Sequence, residues 1–207
     1  MKGETNAMNA IAVTRQNKIA DLLKMLICLV TLGVFSVASA SEPDQIDSYD
    51  VNVSHGLTFS SNKSDPPAPL ALRGYDTVSY FTDGKPQLGT SQHAVLHNGA
   101  IYWFSSEKHK QKFESDPDHY LPQYGGFCAY GVTQATKFDG DPLLWNIHKG
   151  KLYLNVTPAL RKKWLGEGLV NLVGNSLDQN IAKADRIWKR ISNAKPEALF
   201  KAWAAKQ

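Results

Sequence analysis

Apolar and β-branched residues crowd two short runs, 93–97 (His-Ala-Val-Leu-His) and 100–104 (Ala-Ile-Tyr-Trp-Phe), on either side of Asn98-Gly99. An Asn-Gly loop closes a hairpin because a primed turn needs positive φ at both central positions, and a two-residue loop also fixes the register. His97 then opposes Ala100, Val95 opposes Tyr102 and His93 opposes Phe104, all on one face. Leu96, Ile101 and Trp103 share the other. This alternation assigns the Leu96 face to the core and the histidine face to a polar pocket or to solvent. A second hairpin is expected from 144–148 and 151–155 around Lys149-Gly150, and an earlier strand at 77–81 ahead of the Asp83-Gly84 turn.

Helical spacing fills the intervals. Ser105 or Ser106 caps a helix from 107 to about 114 that carries His109 and Phe113 on one face, four residues apart. Asp116-Pro117 and Thr157-Pro158 each pair a capping residue with proline at the first helical position, and Pro122 ends the short turn that Asp116 begins. Ile181, Ala184, Ile187, Trp188 and Ile191 mark a final packed helix. Strands mixed with short helices predict an α+β domain, a small antiparallel sheet of hairpins packed with short helices.

The N-terminal 40 residues read as an export signal. Arg15, Lys18 and Lys24 precede an uncharged apolar run from 25 to 37, and Ala38-Ser39-Ala40 supplies the small residues of a cleavage site. The run is shorter than the ~20 apolar residues of a spanning helix, so no stable membrane span is expected after cleavage. The leader holds four Lys/Arg and two Asp/Glu, and its removal lowers the net charge from +4 to +2. That balance, without a basic block, argues against a nucleic-acid partner. The expected organisation is a signal peptide at 1–40, a flexible polar and proline-rich linker at 41–70, a folded domain at 71–195 and a tail at 196–207. The destination is the periplasm or the exterior.

Three groups of residues then look like a known family. Gly74-Tyr75-Asp76-Thr77-Val78-Ser79-Tyr80-Phe81, the Asn98-Gly99 hairpin with Tyr102-Trp103-Phe104, and Phe113, Asp116-Pro117, Tyr120 followed by Gln123-Tyr124-Gly125-Gly126-Phe127-Cys128-Ala129 resemble the exported branch of YHS-domain proteins. The resemblance runs from about 72 to 191 and implies metal handling. Many YHS domains carry two cysteines where this chain has Ser105 and His109. Serine is a poor ligand for a soft metal, while histidine serves copper, nickel or zinc.

Without the leader a single cysteine remains, Cys128, beside the Gly125-Gly126 pair. One thiol cannot close an internal disulfide. As a thiolate it would be a copper or zinc ligand, with His109, His93, His97 and His148 as the candidate nitrogen donors. His93 and His97 lie about 13 Å apart along their strand and cannot both reach one ion. A thiol enzyme would instead need a histidine base and an orienting group such as Asp139, Asp141 or Asn146. The third class is a binding module in which Tyr102, Tyr124, Gly125, Gly126 and Phe127 line a ligand pocket. The partners expected are thus a metal ion, a small ligand or another exported protein.

Overall fold

Both predicted hairpin turns form with positive φ at both central residues, as a primed turn requires. Asn98 and Gly99 take φ of 47° and 76°, and Lys149 and Gly150 take 50° and 72°. The computed structural model describes residues 49–167 and 175–207; the expected signal peptide at 1–40 and the side chain of His55 lie outside the described residues. All described residues belong to one unit, Ile46–Gln207.

In chain order the elements are strands β1 (Val53–Thr58) and β2 (Ala68–Ala71), helix α1 (Ser79–Thr82), strands β3 (Thr90–His97) and β4 (Ala100–Phe104), and helices α2 (Glu107–Ser115) and α3 (Pro117–Tyr120). A 3-10 turn (Gln123–Gly126) leads into α4 (Ala129–Thr133), hairpin β5 (Asp141–His148) and β6 (Lys151–Asn155), and helices α5 (Pro158–Leu165), α6 (Leu177–Ile191) and α7 (Pro196–Ala204). The protein is α+β. One sheet has four strands in the order β1-β2-β4-β3 and a second is the β5-β6 hairpin. The larger sheet is mixed and not wholly antiparallel, because β2 runs parallel to β4 through the Leu70–Ile101 pair.

Other expectations are corrected as well. Residues 41–70 are not linker throughout: β1 and β2 fold out of the polar, proline-rich stretch and join the sheet. Residues 77–81 form no strand. The Asp76 carboxylate accepts from the backbone N–H of Val78 at 2.9 Å and of Ser79 at 3.3 Å, and this local capture turns the chain into α1 despite its β-rich composition. The first hairpin keeps the predicted register from His97–Ala100 to Ala94–Trp103, but a bulge then removes the His93–Phe104 pair. Ser61 takes up the freed strand groups, its N–H donating to the Ala94 carbonyl at 3.0 Å and its hydroxyl accepting from the Ala94 N–H at 2.6 Å.

The helix caps follow the sequence closely. Ser106 caps α2 through the His109 N–H, Thr157 caps α5 through the Leu160 N–H, and Ser176 with Gln179 forms a reciprocal capping box at α6. Packing divides the interior in two. Ala100, Tyr102, Phe104, Phe113, Leu152 and Leu154 belong to the first core, so the histidine face of the first hairpin carries the main core, contrary to the Leu96 assignment. The Leu96 face packs a smaller cluster around Ala94 and Ile101. The second core gathers Tyr124, Val132, Tyr153, Trp164, Ala184 and Ile187 from the 3-10 turn, α4, β6, α5 and α6. Strand β6 separates the two. Its period of two sends Leu152 and Leu154 to one core and Tyr153 to the other.

Candidate functional site

Cys128 is enclosed and chemically quiet. Its side chain is 0% exposed, caps α4 by accepting the Gly131 N–H at 3.4 Å, and donates to Asn155 Oδ1 at 3.7 Å. Burial pushes the thiol above its ordinary pKa, and backbone N–H groups of Gly131, Val156 and Tyr130 only partly oppose this. A protonated thiol is neither a nucleophile nor a metal ligand. Iodoacetamide should therefore alkylate Cys128 at least about a hundredfold more slowly in the native protein than in urea, since reaction waits on opening of the structure. Equal rates, followed by mass spectrometry, would contradict the buried placement.

The histidines predicted to join it are held elsewhere. His109 Nδ1 donates to Asp76 Oδ2 at 2.6 Å, and its Nε2 lies 3.2 Å from Thr82 Oγ1. His93 pairs with Glu107 at 3.3 Å. His148 and Lys149 converge on Asp178 at 2.9 and 2.8 Å, and Lys149 first, then His148, holds that carboxyl below its usual range. Among the described residues no group of three or more His, Cys, Asp or Glu is arranged to hold a metal ion. The copper or zinc ligand set of Cys128, His109, His93, His97 and His148 is not brought together: His93 and His97 share β3, Cys128, His109 and His148 stand at α4, α2 and β5, and His109, His93 and His148 are each engaged by a different carboxylate. The thiol-enzyme reading meets the same obstacle. Asp141 accepts the Leu143 N–H at 2.9 Å, at the start of β5, and does not orient a base.

Asp76 and His109 resemble an acid–base dyad, yet the pair is a joint. Asp76 is 0% exposed and, besides His109, Val78 and Ser79, accepts from the Ser105 N–H at 2.9 Å and the Ser105 hydroxyl at 2.6 Å. One carboxylate thus ties α1, the end of β4 and α2 together. Ser105 and His109 stand where the resemblance leads one to expect cysteines, and here both side chains serve that carboxylate.

A cleft of ≈ 590 Å³ opens at the seam between the two cores. Its lining includes His97, Tyr102, Tyr124 and Gly125 from the predicted set, whereas Gly126 and Phe127 lie outside it. The glycine pair explains part of the shape. Tyr124, Gly125 and Gly126 all take positive φ, and a Cβ on Gly125 would sit 1.7 Å from the Asp50 carbonyl oxygen. Only a bare α-carbon lets the 50–52 segment lie against the turn, where the Asn52 N–H donates to the Gly125 carbonyl at 2.8 Å. Asp50 and Val51 form part of the cleft as a result.

Polar groups of unequal character face this space. Burial lowers the pKa of His97, against a smaller opposing pull from Asp118, so the ring is neutral at pH 7. Its Nε2 is inaccessible and has no hydrogen-bond partner among the described residues, while its ring meets Phe113 and Tyr102 edge to face. Burial, reinforced by Asp50, keeps the Tyr102 phenol protonated far above the usual tyrosine range. Tyr124 donates its hydroxyl to Asp185 Oδ1 at 2.9 Å. Trp188, Leu121 and Pro122 add apolar wall, and Lys151 and Lys189 add positive charge.

A buried lysine braces one side. Lys137, 4% exposed, donates to the carbonyls of Tyr49, Ser192 and Ala194 and lies 5.1 Å from the Trp188 ring centre. It clamps the chain before Asp50 to the end of α6, so two walls of the cleft share one fastening. Sequence reading missed Asp50, Asp185, Lys189 and Lys137. They belong to segments far apart in the chain, and only the polar positions of α6 four residues apart hinted at a shared face. In comparisons with known proteins, the chain matches no family model, no curated protein and no solved structure.

Proposed function

We propose that the chain is an exported binding protein of the YHS type, and that it holds a small organic ligand in the cleft between its two cores without chemical change. The motif from Gly74 to Phe81, the glycine pair before Cys128 and the leader pattern support the family and the location. Among the described residues no helix is long and apolar enough to cross a membrane.

The observation that carries the reading is the polar pair on the inner wall. A neutral imidazole and a protonated phenol stand side by side on the cleft wall, where a bound molecule would meet polar groups on an otherwise aromatic surface. The cleft volume falls within the range of small-molecule sites, and its aromatic walls suit a flat body. A thiol held protonated within the core supports a structural role for Cys128 instead.

Calorimetric titration with p-cresol and with benzamide, both neutral, flat and capable of hydrogen bonding, tests the proposal. At least one should bind the wild-type protein. His97→Leu and Tyr102→Phe should each weaken that binding about tenfold, the equivalent of one lost hydrogen bond in a dry site. Failure of both compounds, or equal affinity in both variants, would refute it.

A further inference from the structure

Resting on the cleft as the ligand site, we infer that its preferred ligand is a small zwitterion: a free α-amino acid with an aromatic side chain, carrying ammonium and carboxylate together. Charges of both signs line one space and leave each other alone. Asp50 and Asp185 bring two carboxylates, and Lys151 and Lys189 bring two ammonium groups. None of these four forms an ion pair with another among the described residues.

The absence of pairing is sharpest on α6. Asp185 and Lys189 stand four residues apart with the acid N-terminal to the base, the order that favours a helix-surface pair. Asp185 is turned instead to the Tyr124 hydroxyl. A singly charged ligand would meet the wrong sign as well as the right one in this cleft. A zwitterion presents a carboxylate for the lysines and an ammonium for the aspartates, and its ring lies against Tyr124, Trp188 and Leu121.

Titration of the full protein with L-phenylalanine, N-acetyl-L-phenylalanine and L-phenylalaninamide separates the charges one at a time. L-phenylalanine should bind at least about tenfold more tightly than either derivative, since each has lost one charge-assisted contact. Lys189→Met and Asp185→Asn should each reduce that preference. The asparagine keeps an acceptor for Tyr124, and a thermal melt confirms folding of both variants. Should p-cresol or benzamide bind while L-phenylalanine binds no better than its derivatives, the zwitterion is refuted and the cleft stands. If no compound binds, both inferences fall.

Discussion

Replacing Asp76 with alanine should destabilise the protein by roughly 3–5 kcal/mol, the loss typical of removing one partner from a buried charged network. Five donors converge on that carboxylate: His109 Nδ1, the hydroxyl and N–H of Ser105, and the N–H groups of Val78 and Ser79. Alanine leaves all five without that acceptor, in a site that is largely buried. For a domain of this size the change corresponds to about 10 °C or more in melting temperature. Asp76→Asn should fall between, because one oxygen still serves Val78 and Ser79 while its amide N–H₂ confronts the Ser105 donors. Urea denaturation of both variants provides the measurement. A loss below about 1 kcal/mol for Asp76→Ala would mean that the joint is not structural.

Gly125→Ala should be the other severe substitution, at about 3 kcal/mol or more. Two effects add there. The residue sits at φ of +61°, and its new Cβ would fall 1.7 Å from a backbone oxygen of Asp50, which cannot swing away as a side chain would. Gly150 gives the contrast. Its φ is +72°, yet a Cβ there meets nothing within 4 Å, so Gly150→Ala should cost only the ~1–2 kcal/mol of a left-handed alanine. The gap between the two variants measures the docking of the 50–52 segment, and with it one wall of the cleft. Equal losses would show that the contact contributes nothing.

These two sites also mark where the sequence could be read and where it could not. The Asn98-Gly99 and Lys149-Gly150 turns, the Ser106 cap and the two proline-led helix starts were legible because their chemistry is local. The helix at Ser79–Thr82 was not. A single acidic side chain overrode the β-forming run that follows it, and its five donors come from segments up to 33 residues away. Strands β1 and β2 were hidden for a different reason. Polar and proline-rich segments can pair on a sheet margin without an alternating pattern, and β1 occupies the edge of its sheet.

The candidate site divides in the same way. Tyr102 and His97 share a face because hairpin register is fixed by a two-residue turn, and Gly125 lines the same space because the glycine pair admits close backbone approach. Residue type alone put Cys128 at the centre of the chemistry, but burial and the cap on α4 give the thiol a packing role. The charged members of the cleft depend on how α6 lies beside the turn at 123–126. Spacing along the chain carries no information about that.

On the proposed function the cleft, and not the neighbourhood of the thiol, receives the ligand. Heteronuclear NMR during titration with p-cresol tests it most directly. Resonances of His97, Tyr102, Tyr124, Gly125 and Trp188 should shift together, with Cys128 and His109 unmoved. Shifts centred on Cys128 and His109, with His97 and Trp188 unchanged, would contradict it.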